Sequence, residues 1–290
     1  ALLRARTNHD FSHYKRPTLL RRIGRRMQVH GVADLAAYAE VLQHQPDEVQ
    51  ALLRDLLISV TNFFRDPTAW KTLETLLPQL FMGKHADDQV RVWVAGCASG
   101  EEAYTVAMLL SEYAATLEQP PRIQVFASDI DEAAIRAARQ GLYRETIAVD
   151  IAPERLARFF IAELGRYRVK PELRDLVLFA VHNLLRDPPF SHLDLVTCRN
   201  VLIYLNRDAQ EQILKLFHFT LQPNGALLLG TSESVDSLPS LFTPIDKHQR
   251  LFQRRPAPIT LPATLPNLFA AGPPVRPPVT ESGRAQSSAQ

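Results

Sequence analysis

From residue 89 onward, short apolar runs alternate with helical patterns, and this alternation limits the possible folds more than any other feature of the sequence. Strands that alternate with helices favour right-handed crossovers, so we predict a mostly parallel sheet with helices on both faces. The predicted strands are RVWVA (91–95), IQVFAS (123–128), LVLFAV (176–181), LDLVTC (193–198), ALLLG (226–230) and a last one near 249–253. The predicted helices are 101–115, 132–140 and 209–221.

Three other segments flank or interrupt this alternation. Apolar residues recur at helical spacing up to about residue 75, which predicts an all-α N-terminal domain over 1–75, followed by the α/β domain over 76–255. The interval 142–175 is too long for a simple connection, and we interpret it as a small inserted subdomain at the active-site edge. Residues 256–290 are rich in proline and predict a disordered tail or linker.

Composition narrows the class of protein. The 290 residues are 46% hydrophobic, which is enough for a core, but no run reaches the roughly 18 apolar residues of a transmembrane helix. The two cysteines, Cys97 and Cys198, are too few for a disulfide framework or a cysteine-based metal site. We therefore expect a cytoplasmic protein with no metal and no membrane insertion. Because the sequence starts at Ala1, we also expect it to be a segment of a longer or processed protein.

The first strand runs directly into a candidate ligand site. It ends in the glycine turn Gly96-Cys97-Ala98-Ser99-Gly100, and the helix after this turn begins with Glu101 and Glu102. Small residues let a ligand approach the backbone, and a helix N-terminus offers unpaired N–H groups. The second strand ends at Asp129, near the spacing at which nucleotide-binding sheets place a ribose-binding carboxylate. Read alone, the turn is also compatible with a tight strand-to-helix connection, and nearby Asp131 suits a helix N-cap.

Two cofactor classes fit a glycine turn followed by a ribose acid, namely a dinucleotide and S-adenosylmethionine. Dinucleotide enzymes normally carry G-x-G-x-x-G, whereas this turn reads G-C-A-S-G. The adjacent Glu101 and Glu102 suit S-adenosylmethionine, because its ammonium and sulfonium groups are cations that a carboxylate can pair with. The residues therefore favour S-adenosylmethionine.

Five segments together resemble the signature motifs of the CheR-type chemotaxis receptor methyltransferases. They occur in the family's order and at compatible spacing, so that the resemblance covers nearly all of residues 11–254. The segments are ISVTNFFRD (58–66), RVWVAGCASGEEAYTVAMLL (91–110), VFASDID (125–131), NLL (183–185) and CRNVLIYL (198–205). The resemblance implies a Rossmann-like class I methyltransferase sheet with a small inserted β-subdomain, preceded by an all-α domain. The opening DFSHYKRPTLLRRIGRRM is similar to such domains fused to methylesterase and sensory domains.

The resemblance also implies roles for individual residues. The cofactor-binding set it implies is Ser59, Thr61, Arg65, Gly96, Gly100, Glu101, Glu102, Asp129, Asn183, Leu184, Arg199 and Asn200. Ser59 stands where many family members have asparagine. Glu101 or Glu102 would hold the methionine amino group, and Asp129 the ribose. Tyr204 and Arg65 are the implied catalytic residues, and we predict that Tyr204 orients the incoming carboxylate.

The implied reaction is methyl transfer from S-adenosylmethionine to glutamate side chains of chemotaxis receptors, as part of signal adaptation. The products are glutamate methyl esters and S-adenosylhomocysteine. A glutamate side chain, with a pKa of roughly 4.3, is ionised at neutral pH and needs no general base. This agrees with a sequence that has no Ser-His-Asp or metal-ligand pattern.

The implied partners are the cytoplasmic domains of methyl-accepting chemotaxis receptors, together with fused or associated methylesterase and sensor domains. Receptor cytoplasmic domains are acidic helical bundles, and the start of this chain is basic, which would steer the two together. The basic residues are Arg4, Arg6, Lys15, Arg16, Arg21, Arg22, Arg25 and Arg26, against the single acid Asp10. The stretch 160–173 is shorter and poorer in glycine than the loop that docks a receptor pentapeptide in some members, so we expect no pentapeptide tethering.

Two alternatives remain open at this stage. A nucleic-acid methyltransferase could use the basic helices to hold phosphates, and Asp187-Pro188-Pro189-Phe190 superficially resembles its acceptor loop. A non-catalytic signalling module could bind the cofactor and recruit partners. We expect no nucleic-acid partner, because the Asp-Pro-Pro-Phe run follows the adenine-bordering strand and not the fourth strand.

Overall fold

The computed structural model of the protein describes residues 2–7 and 9–257. Its helices are α1 (Leu2–Thr7), α2 (Arg16–Val29), α3 (Leu35–His44), α4 (Pro46–Leu56), α5 (Pro67–Phe81), α6 (Glu101–Ala114), α7 (Glu132–Gln140), α8 (Pro153–Phe159), α9 (Pro171–Arg174) and α10 (Arg207–Thr220). Its strands are β1 (Gln89–Ala95), β2 (Arg122–Asp129), β3 (Leu142–Arg144), β4 (Phe160–Glu163), β5 (Arg166–Val169), β6 (Val177–Val181), β7 (Leu193–Cys198), β8 (Leu221–Leu229), β9 (Phe242–Asp246) and β10 (Leu251–Arg254).

The first four helices share a small core of their own. Buried side chains from α3 and α4 form its centre, and apolar residues of α1 and α2 pack against them. The carboxylate of Glu48 is buried in this group, where it accepts hydrogen bonds from Arg26 and from the Tyr38 hydroxyl. Helix α5 is not part of this small core, because Trp70 and its apolar neighbours join the core beneath the sheet. The predicted division at residue 75 falls inside α5, and the exact boundary stays a prediction.

Seven strands form the main sheet, in the order β6-β2-β1-β7-β8-β10-β9. The pairs from β6 to β8 are parallel, and β10 runs antiparallel to both of its neighbours. The prediction of a mostly parallel sheet, with helices between its strands, is therefore confirmed. Strand β9 was not predicted, because FTPID has no apolar run and contains Pro244. It lies at the sheet edge, where a proline removes no ladder hydrogen bond.

The predicted insertion is also present. Between α7 and β6 the chain forms a three-stranded antiparallel sheet in the order β3-β5-β4, with α8 and α9 beside it. Phe159 and Phe160 anchor it in the core beneath the main sheet. The fold class is thus a Rossmann-like methyltransferase sheet with a small β-subdomain, preceded by helices.

Two predictions concern the ends of the chain and the membrane. Most of the predicted proline-rich tail, from residue 258 to 290, lies outside the described residues. Over residues 2–7 and 9–257, no helix combines the length and the apolar character needed to cross a bilayer.

The strand order fixes where a ligand can bind. The chain leaves β1 toward β2 and β6 on one side, and later returns to β7 and β8 on the other side of β1. In open α/β sheets a ligand crevice forms outside the carboxyl ends of the strands, at the point where the order reverses. In this chain that point lies between β1 and β7, beside Gly96 and Arg199.

Candidate active site

A cavity opens at this point of the sheet, and its walls come from widely separated parts of the chain. Every residue predicted for the site lines it, except Gly100 and Glu101. The predicted residues that line it are Ser59, Thr61, Arg65, Gly96, Glu102, Asp129, Asn183, Leu184, Arg199, Asn200 and Tyr204. The fold thus brings most of the candidate site together, and the role of each residue remains to be proposed from its chemistry.

The glycine turn after β1 is held in place by Asp129. The Ala98 N–H donates to Asp129 Oδ2 over 2.8 Å, and the Gly96 N–H donates to the Ser128 carbonyl over 2.7 Å. Gly96 has φ +76°, and a Cβ added there would lie 2.3 Å from Val201 Cγ2. The glycine therefore lets the loop after β7 approach the turn closely.

Asp129 is a partly buried carboxylate that still has room to accept hydrogen bonds. Its Oδ1 accepts the Asp131 N–H over 2.9 Å, so each carboxylate oxygen already holds one backbone donor. Burial raises the pKa of Asp129, and these backbone N–H groups partly oppose the rise. Asp131 has a different task, since its side chain caps α7 by accepting from Ala133 N and Ala134 N. A carboxylate oxygen has about two acceptor sites, so Asp129 can also accept from sugar hydroxyls.

Gly100 and Glu101 do not reach the cavity. A Cβ at position 100 would lie 2.9 Å from Ala138 Cβ, so this glycine permits close packing of α6 on α7. Glu101 accepts from its neighbour Ser99, whose Oγ lies 2.7 Å from Glu101 Oε2. Of the two adjacent glutamates, only Glu102 lines the cavity.

Glu102 is tied to the buried guanidinium of Arg199. The side chain of Arg199 is 0% exposed, and its Nη1 lies 3.5 Å from Glu102 Oε2. The Thr197 hydroxyl donates to the other Glu102 oxygen over 2.7 Å. Burial raises the pKa of Glu102, while Arg199 and Thr197 lower it. Arg199 therefore supplies the counter-charge that helps to keep this carboxylate ionised.

Arg199 also fixes the segment that carries Thr61 and Arg65. Its Nη2 donates to the Arg65 carbonyl over 3.0 Å and to Asp66 Oδ2 over 2.8 Å. Its Cζ lies 4.8 Å from the ring centroid of Trp70, whose Nε1 donates to the same Arg65 carbonyl. These contacts hold the backbone of Arg65 at the cavity edge.

The backbone around Arg65 is strained. Phe64 and Asp66, on either side of it, have positive φ values of 49° and 58°, a region that bulky residues avoid. Such strain persists only where surrounding contacts enforce it, and it concentrates at functional sites. The contacts from Arg199 and Trp70 provide that enforcement.

The buried carboxylate of Glu233 holds the loop between β7 and α10. Glu233 is 4% exposed and accepts backbone N–H groups from Asn200, Val201 and Ile203, at 3.0, 2.8 and 3.3 Å. This loop leads to Tyr204 on the cavity wall. Sequence reasoning missed Glu233, whose only signal was an acid shortly after strand β8.

One wall of the cavity carries several apolar side chains. Leu184, Leu185 and Ile130 line it, and the Asn183 side chain closes a turn by accepting the Leu185 N–H over 3.0 Å. Ser59 lies at the same edge, with its Oγ 3.0 Å from Asp131 Oδ2. Apolar walls beside a few fixed polar groups are typical of small-molecule and cofactor pockets.

The remaining wall comes from the segment between α1 and α2, which we call the strap (residues 9–15). Asp10, His13 and Tyr14 of the strap line the cavity. The Lys15 N–H donates to the Tyr204 carbonyl over 2.8 Å, and the Asn206 N–H donates to the His13 carbonyl over 2.8 Å. Sequence reasoning missed the strap, because nothing in residues 9–15 shows which distant loop they pair with.

These features fit S-adenosylmethionine. The cofactor carries two cationic centres, and the carboxylates of Asp10, Glu102 and Asp129 line the cavity. Burial raises the pKa values of Glu102 and Asp129. A cationic ligand stabilises such carboxylates, which would otherwise be poorly solvated. Asp129 can accept from ribose hydroxyls, and the apolar wall suits an adenine ring.

Two family models match the chain. The model described as "CheR methyltransferase, all-alpha domain" matches residues 1–57, and that described as "CheR methyltransferase, SAM binding domain" matches residues 59–251. The all-α family model thus covers α1 to α4, and the cofactor-binding model covers the inserted sheet and the main sheet up to the start of β10.

Individual relatives agree with these matches. The "uncharacterized 104.1 kDa protein in hypE 3'region" of Rhodobacter capsulatus is 40% identical over 97% of this chain, which spans only 29% of that relative. The "chemotaxis protein methyltransferase" of Escherichia coli is 33% identical, over 83% of this chain and 85% of the relative. "Chemotaxis protein methyltransferase 1" of Pseudomonas aeruginosa is 34% identical, over 76% of this chain and 83% of the relative. The chain therefore belongs to the CheR methyltransferase family.

Proposed function

We propose that this protein uses S-adenosylmethionine to methylate glutamate side chains on the cytoplasmic domains of chemotaxis receptors. The observation that carries the proposal is the cavity at the carboxyl edge of the sheet, where Asp129 and Glu102 are suited to a cationic nucleoside. Membership of the CheR family supports the acceptor, since relatives of similar length are named chemotaxis protein methyltransferases.

When bound, S-adenosylmethionine supplies a methyl group attached to a sulfonium centre. In the proposed reaction a glutamate oxygen of the receptor would bond to the methyl carbon as the carbon–sulfur bond broke, and the electron pair of the broken bond would stay on sulfur. The acceptor is already a carboxylate at neutral pH, so no proton has to be removed. The task of the protein is to exclude water and to align the carboxylate about 3 to 3.5 Å from the methyl carbon.

Within this proposal the residues divide into two groups. Asp129 holds the ribose, Asn183 and Leu184 border the adenine, and Glu102 faces the amino group of the methionine part. Arg65 and Tyr204 face the acceptor, where a guanidinium attracts the carboxylate and a phenol orients it by a hydrogen bond. Arg199 belongs to neither group. It positions other residues, because its guanidinium forms ion pairs with Glu102 and Asp66.

A direct test uses S-adenosylmethionine labelled in the methyl group, with membranes that contain chemotaxis receptors. We expect label on the receptor that is released by mild base, as a carboxyl ester requires. Label that is stable to base, or label found on nucleic acid, would contradict glutamate methylation. Receptor that stays unlabelled while the cofactor binds would indicate a non-catalytic module.

Replacement of Tyr204 by phenylalanine is expected to lower kcat about 10-fold. The substitution removes one hydroxyl that we propose to orient the acceptor, and a lost hydrogen bond of about 1.4 kcal/mol corresponds to tenfold. The affinity for S-adenosylhomocysteine should stay within about twofold, which separates an effect on the acceptor from one on the cofactor. The measurement is initial-rate receptor methylation, with calorimetry for the cofactor product. An unchanged kcat with intact cofactor binding would exclude this role.

The basic face of α2 provides a test of receptor docking. Arg21 and Arg25 are exposed and one helical turn apart, whereas Arg26 is committed to the buried Glu48. We expect the double variant Arg21→Glu, Arg25→Glu to lower kcat/KM for receptor about 10-fold at low salt, because electrostatic steering is lost. The difference in kcat/KM between this variant and the parent should shrink as added salt screens the charges.

The matched control places the same change of charge away from α2. Arg136 on α7 and Lys247 after β9 are exposed, so Arg136→Glu, Lys247→Glu alters the net charge equally. Equal losses in the two double variants would show that only net charge matters, and would contradict docking on α2. A cytoplasmic location and the absence of a resident metal or a nucleic-acid partner remain predictions beside this proposal.

A further inference from the structure

Tyr14 lies in the strap, outside the sheet, yet its side chain packs on a core cluster of the sheet and lines the cavity. Its ring packs against the core cluster that contains Leu202 and Leu205, and it meets the ring of Phe11 edge-on with centroids 5.0 Å apart. A β-bridge joins its backbone to Leu205. The ring is therefore held in place on the cavity wall. Within residues 2–7 and 9–257, the phenol hydroxyl makes no hydrogen bond, so its donor is free for a ligand.

The charge of Asp129 reaches this phenol. Burial, followed by the negative charge of Asp129, raises the pKa of Tyr14 to about 12. The hydroxyl therefore stays protonated throughout the physiological range and keeps its donor. Tyr14 and Asp129 line the same cavity, one from the strap and the other from the end of β2.

A ribose requires both hydrogen-bond donors and hydrogen-bond acceptors from the protein. Each ribose hydroxyl can donate one hydrogen bond and accept others, whereas an ionised carboxylate only accepts. Asp129 can accept hydrogen bonds from the sugar hydroxyls, but it cannot donate one to their oxygen atoms. The guanidinium of Arg199 already donates to Asp66, Glu102 and the Arg65 carbonyl through Nη1 and Nη2, its Nε has no partner among the described residues, and its side chain is 0% exposed. The Tyr14 hydroxyl is a free donor in the same cavity.

We propose that Tyr14 is a cofactor-binding residue whose hydroxyl donates a hydrogen bond to a ribose oxygen of S-adenosylmethionine, while Asp129 accepts from the ribose hydroxyls. This inference rests on the proposed function, which assigns the ribose to Asp129. It adds a residue of the strap to the cofactor site. Because the strap also bonds the Tyr204 carbonyl, one segment then touches both the ribose and the residue proposed to face the acceptor.

The test is calorimetric titration of the full chain with S-adenosylhomocysteine and with its 2′-deoxy and 3′-deoxy analogues. Tyr14→Phe should weaken binding of S-adenosylhomocysteine about 3- to 10-fold, as expected for one lost neutral hydrogen bond. The loss should fall to less than about twofold for the analogue that lacks the hydroxyl bound by Tyr14. The matched control, Tyr167→Phe on strand β5 outside the cavity, should bind all three ligands as the parent does.

Four outcomes can be told apart in this titration. A loss that disappears with one deoxy analogue supports the hydrogen bond to that ribose oxygen. Equal affinities of Tyr14→Phe and the parent would overturn the proposal, and so would an identical loss for all three ligands. Failure of the parent chain itself to bind S-adenosylhomocysteine would refute the proposed function instead, so the two failures can be told apart.

Discussion

The alanine variant of Asp129 is expected to bind S-adenosylhomocysteine about 100-fold more weakly than the parent chain. The carboxylate is proposed to accept hydrogen bonds from the ribose, and hydrogen bonds to charged groups contribute about 1.5 to 3 kcal/mol each. A loss of about 2.8 kcal/mol corresponds to 100-fold in affinity. The substitution also leaves the N–H groups of Ala98 and Asp131 without their acceptor, which loosens the glycine turn. Calorimetry measures the affinity directly.

The chain contains a matched control two residues away. Asp131→Asn preserves a side-chain oxygen that can still cap α7, and this carboxylate does not line the cavity. We expect its affinity for S-adenosylhomocysteine to stay within about threefold of the parent value. Circular dichroism and thermal unfolding of both variants check that the sheet is intact. If Asp129→Ala bound as tightly as Asp131→Asn, the assignment of the ribose to Asp129 would be wrong.

The contrast between these two aspartates shows how far the sequence could lead. Buried strands have long apolar runs, and the carboxyl ends of parallel strands meet at one edge, so residues directly after the strands could be assigned to one site. Asp129 follows this rule, and Asp131 fits the ordinary pattern of an N-cap. The resemblance to a family extended the set to Thr61, Arg65 and Tyr204, and the cavity brings all three together.

What the sequence could not predict depends on side-chain direction and on distant pairing. Gly100 and Glu101 lie in the right segment, but the helix directs Gly100 toward Ala138, while Glu101 bonds to its neighbour Ser99. A motif gives positions along the chain and not the face of the helix. For this reason the choice between the two adjacent glutamates required the structure.

The strap and Glu233 were missed for another reason. Tyr14 meets the cavity through a bridge to Leu205, a residue nearly two hundred positions away, and no periodic pattern encodes such a contact. Glu233 resembles an ordinary loop acid, and its burial beneath the loop of Asn200 becomes visible only when the strands are assembled. Residues that support a site are harder to predict than residues that line it, because their partners are mostly backbone groups.

Arg199 is one such supporting residue, and its replacement by leucine is expected to lower the free energy of unfolding by about 3 to 5 kcal/mol. The substitution leaves Glu102, whose side chain is only 13% exposed, without its cation, and breaking a largely buried ion pair from one side has an effect of this size. It also releases the Arg65 carbonyl and Asp66. Denaturant unfolding followed by tryptophan fluorescence is a suitable measurement, because Trp70 and Trp93 are both buried in the core.

A second substitution separates the uncompensated charge from the lost packing. In the Arg199→Leu background, Glu102→Gln removes the carboxylate that has lost its cation, and we expect it to restore at least about 1 kcal/mol of the free energy of unfolding.

The pH dependence of stability gives an independent check. Burial already raises the pKa of Glu102 above its ordinary value of 4.5, and loss of Arg199, which lowers it, raises it further. The folded state then binds a proton more tightly than the unfolded state does. Stability of the single variant should therefore fall as the pH rises from about 4.5 toward the folded pKa.

The double variant has no carboxylate at position 102, so this part of the pH dependence should be absent from it. The same comparison decides between two roles for Arg199. If its guanidinium acted chiefly as a ligand for the cofactor, Arg199→Leu would weaken cofactor binding while the unfolding curve of the unliganded protein stayed unchanged. If it positions the segment of Thr61 and Arg65, as its complete burial indicates, stability falls in the unliganded protein and Glu102→Gln restores part of it. Unliganded unfolding curves that coincide for parent and single variant would exclude the positioning role.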